Sequence, residues 1–124
     1  HGSAMSPAVA TASLAAWRDE AHVRENRARY AAKFDALTPR LAAALPCERP
    51  DAAFYLWAKT PGDDAEFAKR LYAEEHVTVL PGSYIARDAH GINPGRGRIR
   101  IALVADEAEC AEGVDRIVRL ARRM

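Results

Sequence analysis

The chain has 124 residues, 49% of them apolar, which is enough for one core in a single domain burying roughly two thirds of its unfolded surface. Its 18 Lys and Arg stand against 17 Asp and Glu, so it lacks the net field that draws a protein onto nucleic acid or an anionic membrane. No run approaches the ~20 apolar residues of a membrane helix.

The start, His1-Gly2-Ser3-Ala4-Met5, lacks the charged and apolar regions of a signal peptide. Cys47 and Cys110 stand far apart with neither disulfide nor metal spacing, and a cytoplasmic location is the expectation. The first residue is not methionine, so either a tag remnant precedes the native chain or the chain begins inside a longer polypeptide, and a fragment is the expectation.

From Ser13 to Leu45 the residues Leu14, Trp17, Ala21, Tyr30, Phe34, Leu37, Leu41 and Leu45 recur at steps of mostly three and four. This spacing predicts a long amphipathic helix, with a break or kink at Thr38-Pro39. Its other face mixes Arg18, Asp19, Glu20, Arg24, Glu25, Arg27 and Arg29, the pattern of a solvated surface.

Ala53 to Ala58 is aromatic-rich and ends at Thr60-Pro61-Gly62, which predicts a first strand. Asp63 with Glu66 has the form of a capping pair, and Phe67, Ala68, Leu71 and Tyr72 continue at helical period. His76 to Leu80 is a β-branched run stopped by Pro81-Gly82, and Arg98 to Val104 alternates at period two; these are the second and third strands. Asp106 and Glu109 open a last helix striped by Cys110, Val114, Ile117, Val118 and Ala121, with Arg116, Arg119, Arg122 and Arg123 as cations at its end. The order predicts an α/β (α+β) sandwich, a small mixed or antiparallel sheet of about three strands covered by helices.

The third strand places Ile99, Ile101 and Leu103 on one face and Arg98, Arg100 and Ala102 on the other. Two readings stay open on the residues alone: arginines keeping an edge strand soluble, which is the simpler, and planar donor forks for a carboxylate. The loop between Leu80 and Arg98 is longer than the usual 2–6 residues and so is expected to be functional or disordered. Within it Gly95-Arg96-Gly97 leads into a strand rather than a helix, unlike a phosphate cradle.

His1, His22, His76 and His90 are scattered without a metal-ligand spacing, and Ser83 lacks the frame of a nucleophile. No self-sufficient catalytic constellation stands out, and no metal is expected.

Four segments match one family in order: Ala16 to Val23 with Glu25-Asn26-Arg27, Ala53 to Trp57, Val77 to Tyr84, and Asn93 to Leu103. They resemble the C-terminal small domain of class I/II (fold type I) aminotransferases, most of all the bacterial N-succinyldiaminopimelate aminotransferases. The resemblance covers essentially the whole chain, His1 to Pro7 included.

It implies that residues 1–124 form a single small domain, with a large pyridoxal-phosphate-binding domain missing upstream. It also implies that Arg100, in Gly95-Arg96-Gly97-Arg98-Ile99-Arg100-Ile101-Ala102, holds the α-carboxylate of the amino acid substrate; Arg98 is the same-face alternative if the alignment slips. The family's Schiff-base lysine has no counterpart in Lys33, Lys59 or Lys69, so the resemblance implies that this chain alone carries no catalytic residue, binds no pyridoxal 5'-phosphate and is inactive. The whole enzyme would move an amino group between glutamate and a succinylated keto acid, on the way to diaminopimelate and lysine, as a cytoplasmic homodimer with no nucleic-acid or membrane partner. A non-catalytic sensing or protein-interaction module of the same α/β build is the alternative.

Overall fold

A computed structural model describes residues 4–124; His1, Gly2 and Ser3 lie outside the described residues. The chain divides into two compact units, one ending at Ala31 and the other running from Ala32 to Met124.

Helix α1 covers Pro7–Arg18 and α2 covers Glu20–Ala42. Ser6 caps α1, with Pro7 at the first helical position where a missing N–H costs nothing. The predicted long helix therefore breaks at Asp19 and not at Thr38-Pro39. The Asp19 carboxylate accepts from the amides of Ala21 and His22 and so starts α2. Pro39 lies inside the last turns of α2, which continues to Ala42.

The expected apolar stripe is buried only in its second half. No residue of α1 is buried and Trp17 is 83% exposed, whereas Phe34, Leu37, Leu41 and Leu45 are in the core. Hydrophobic spacing reports which face a helix offers, and burial needs a second layer to receive it.

The second unit holds a three-stranded antiparallel sheet in the order β1-β3-β2, with β1 at Tyr55–Lys59, β2 at Leu80–Pro81 and β3 at Arg98–Ala102. β3 is the middle strand. The predicted strand from His76 to Leu80 shrinks to Leu80 and Pro81, because His76 takes the left-handed conformation (φ 56°) that ends the helix before it. That helix, α3 (Asp64–Glu75), is capped by Asp63, whose carboxylate accepts from the Glu66 amide at 2.9 Å. A four-residue helix, α4 (Gly82–Ile85), follows β2, and α5 (Glu107–Ala121) starts from Asp106 as predicted.

Leu56 and Ala58 of β1 and Ile99 and Ile101 of β3 face inward against Leu37, Leu41, Phe67, Leu71, Val114, Ile117 and Leu120, all of them buried. Lys33 ties α2 to the end of the sheet, donating from Nζ to the carbonyls of Leu103, at 2.9 Å, and Ala105. The arginines of α5 do more than complement a helix end. Arg119 and Arg123 each reach a carboxylate oxygen of buried Glu75 at 2.8 Å, and Arg116 donates to the Glu75 carbonyl, locking α5 onto the end of α3. Among the described residues no helix is long and apolar enough to cross a membrane.

Candidate functional site

The strand alternation that buries Ile99 and Ile101 turns Arg98 and Arg100 to the opposite, half-open face of the sheet, with Tyr55, Trp57 and Lys59. In register Arg100 stands between Trp57 of β1 and Leu80 of β2, and Arg98 stands opposite Lys59. The edge-strand explanation does not hold for Arg100, which pairs with β1 on one side and β2 on the other.

Arg100 rests on an aromatic shelf. Its guanidinium carbon is 4.9 Å from the centroid of the Tyr55 ring and 5.6 Å from that of Phe54, and those rings meet edge to face at 86°. Its Nε is buried and has no hydrogen-bond partner. A buried donor left unpaired costs on the order of 1–3 kcal/mol. An anionic acceptor with two oxygens, presented to the fork from the open side, removes that cost.

Beside the shelf is an open cleft of about 630 Å³ whose lining includes Tyr55, Trp57, Lys59, Arg98 and the segment from Pro46 to Asp51. Tyr55 belongs to both the shelf and the cleft.

The loops around this face are held by buried polar groups. Asp64, at the start of α3 and fully buried, accepts from the Ser83 amide at 2.8 Å and the Gly97 amide at 3.0 Å. Burial pushes its carboxyl up, and the hydrogen bonds from Ser83 and Gly97 more than reverse this, leaving it below the ordinary aspartate value. Asn93 donates to the Ser83 carbonyl at 3.0 Å and accepts from the Gly95 amide at 2.9 Å. Gly82 and Gly95 touch backbone to backbone: a Cβ on Gly82 would lie 2.1 Å from the Gly95 carbonyl oxygen. The long loop is thus ordered, and Ser83 serves it from its backbone and its side chain, both directed at Asp64.

Sequence reasoning singled out Arg100 and missed Asp64. Asp63-Asp64 offers two carboxylates at a helix start where one suffices as a cap, and the second is the signal that was there to find.

The histidines stay apart. His22 pairs with Asp19 at 3.0 Å, His76 ends α3, and His90 with Gly91 forms a tight turn at φ 53° and 77° between Ala89 and Ile92, the geometry of a type I′ hairpin turn. Among the described residues no group of His, Cys, Asp or Glu could hold a metal ion. Burial pushes the thiols of Cys47 and Cys110 up, away from reactive thiolates.

The lysines do not suit a covalent cofactor. Lys33 is spent on two backbone carbonyls; Lys59 is exposed at the end of β1; and Lys69 is exposed and lies 3.6 Å from Glu66. None is a desolvated amine facing the shelf. The described residues therefore do not form a pyridoxal-phosphate site of their own.

A small antiparallel sheet thus presents a ring-backed arginine on its open face. Residues 2–117 match the family "Aminotransferase class I and II", and the chain belongs to it. It is similar to an aminotransferase from Neisseria meningitidis Z2491 of known crystal structure, with 50% identity and a TM-score of 0.91 over 98% of this chain and 31% of that one. The probable N-succinyldiaminopimelate aminotransferase from Thermus thermophilus is 32% identical with a TM-score of 0.69, over 83% of this chain and 27% of that one. LL-diaminopimelate aminotransferase from Nitratidesulfovibrio vulgaris (strain DP4) is 37% identical over 117 residues, 91% of this chain and 29% of that protein. The chain thus spans less than a third of the length of these relatives.

Proposed function

We propose that residues 1–124 are the C-terminal small domain of a pyridoxal-phosphate-dependent aminotransferase, and that Arg100 binds the α-carboxylate of its amino acid substrate. The observation that carries this reading is the buried, unpartnered Nε of Arg100 on the Tyr55 and Phe54 shelf. A carboxylate meeting this fork accepts two parallel hydrogen bonds, which fixes its plane and, through it, the position of the substrate's Cα. The rings beneath exclude water from one side of the guanidinium, so the pair forms in a lower dielectric than on an open surface.

The cofactor, the lysine that carries it and the partner subunit of a homodimer belong, in this reading, to a large domain outside these residues. The substrate class is a diaminopimelate skeleton, either N-succinylated with glutamate as amino donor, or free. The likeness to the Thermus enzyme supports the first and the likeness to the Nitratidesulfovibrio enzyme supports the second.

The test is glutamate-dependent transamination and cofactor absorbance, measured on this chain and on a full-length parent carrying it. The parent is expected to turn over and the chain alone to be inactive and colourless. Arg100→Ala in the parent removes two charge-assisted hydrogen bonds at about 1.5–3 kcal/mol each, a loss of about 10²- to 10⁴-fold in kcat/KM. Cofactor bound by this chain alone, or a parent indifferent to Arg100→Ala, overturns the proposal.

A further inference from the structure

Arg100 is walled in by its cross-strand neighbours. Trp57 of β1 and Leu80 of β2 stand directly opposite it, one on each side and on the same face of the sheet. The Trp57 ring extends further than its own strand. A Cβ on Gly82, just beyond β2, would lie 2.7 Å from the tip of that ring and 2.8 Å from the Arg98 carbonyl oxygen. The ring therefore crosses β3 next to Arg100 and ends against Gly82.

The β2 side of this enclosure is weakly built by itself. Only Leu80 and Pro81 pair with β3, and a proline has no N–H to give to a ladder. What holds the segment in place is Asp64. Its buried carboxylate accepts from the Ser83 amide at 2.8 Å, just past β2, and from the Gly97 amide at 3.0 Å, just before β3. The Ser83 hydroxyl donates to it as well. The Gly97 carbonyl in turn accepts from the Thr60 amide at 2.9 Å, next to the end of β1. One carboxylate thus gathers the strand ends where Gly82 is pressed against Gly95 and the Trp57 ring.

The unpaired Nε of Arg100 favours a carboxylate strongly only while water cannot reach it. If the Ser83 and Gly97 segments part, the Trp57 ring loses its seat on Gly82 and the guanidinium hydrates. We propose that Asp64 is a positioning residue for the carboxylate clamp: by holding Ser83 and Gly97 together it keeps β2 and the Trp57 ring closed around Arg100. This rests on Arg100 holding the substrate's α-carboxylate, and adds to that reading the buried group on which the clamp's affinity depends.

The experiment is a single-turnover reaction of the cofactor-loaded full-length parent with glutamate, followed by cofactor absorbance, which yields a Kd and a limiting rate separately. Asp64→Asn is expected to raise Kd about 10-fold, the worth of one charge-assisted hydrogen bond, and to change the limiting rate by less than about threefold. In an Arg100→Ala background the same substitution is expected to change Kd by less than about twofold, because the clamp it positions is gone. Ser83→Ala removes only the hydroxyl's bond and guards against a folding defect; it is expected to raise Kd about threefold, again only where Arg100 is present. Kd unchanged in both variants, a loss confined to the limiting rate, or the same factor with and without Arg100 overturns the proposal. Arg100→Ala separates the two readings: if it leaves Kd unchanged the carboxylate reading itself fails, and if it raises Kd while Asp64→Asn acts independently of it, only the positioning role fails.

Discussion

Asp64→Asn isolates the device that orders the loops around the candidate site. The native carboxylate gives one oxygen to the Ser83 amide and the other to the Gly97 amide. Asparagine keeps one acceptor and turns an NH₂ donor toward the other amide, leaving a buried N–H unpaired and removing the charge that strengthened both bonds. The loss is about 2–4 kcal/mol, which at roughly 3–5 °C per kcal/mol for a domain of this size is a fall of about 6–20 °C in Tm. The pH dependence supplies a second reading of the same bond. The folded-state carboxyl lies below its ordinary value of 3.8, so its contribution is complete above that value and disappears as pH falls through the folded-state value. Urea unfolding followed by circular dichroism at pH 7 and at a series of pH values below 3.8 is therefore expected to show a gap between the native chain and Asp64→Asn that is widest at pH 7 and narrows as the acid titrates the folded carboxylate. A gap under about 0.5 kcal/mol at pH 7, or one that does not narrow with acid, would refute the reasoning, because surface substitutions with no structural role fall in that range.

Two further substitutions probe how the second unit is held together. Gly82→Ala places a methyl 2.1 Å from the Gly95 carbonyl oxygen, 2.7 Å from the Trp57 ring and 2.8 Å from the Arg98 carbonyl oxygen, two of them backbone atoms that cannot swing aside. A loss above about 2 kcal/mol is expected in thermal unfolding, and a Tm within a degree or two of the native value would show that the loops separate freely. Glu75→Ala removes the carboxylate shared by Arg119 and Arg123; those arginines are half-exposed and rehydrate, so about 2 kcal/mol is expected rather than the full cost of a stranded buried ion. Arg123→Ala, which leaves Arg119 in place, is expected to cost under about 1 kcal/mol in urea titrations, and equal losses for the two variants would mean that the Arg123 pair carries the whole contribution and Arg119 none.

The elements that local chemistry specifies were legible in the sequence. Asp63 and Asp106 cap helices where a carboxylate precedes a Glu by three residues, and the Arg-Ile alternation is a strand with one face buried. What was not legible depends on tertiary partners. Whether Trp17 and Leu14 are buried is decided by what packs on them, not by their spacing. The break at Asp19 looks like a charged helix surface until the side chain turns to its own backbone. The run His76 to Leu80 has strand composition, yet the left-handed turn at His76 leaves only its last residue in the sheet. At the candidate site, alternation placed Arg98 and Arg100 on one face, but the rank of β3 as middle strand and the unpaired Nε are properties of the assembled sheet.

That rank bears on how a substrate clamp of this kind would work. An arginine on a loop must lose rotamer freedom when it takes hold of a carboxylate, a cost on the order of 1–2 kcal/mol. Arg100 has met part of that cost in folding: its backbone is paired to both neighbouring strands, and its guanidinium lies over Tyr55 and Phe54. The same arrangement prevents it from turning away to hydrate its Nε, so the desolvation penalty persists until an anion arrives. A side chain held in place and left short of one partner discriminates strongly between ligands that supply the partner and ligands that do not. Stability and recognition then pull in opposite directions at this residue. A change such as Arg100→Met, which keeps the stem on the rings and removes the stranded donor, is expected to leave the fold unchanged or raise its Tm while abolishing carboxylate binding in the parent; a loss of stability instead would show that the ring contacts outweigh the unpaired Nε.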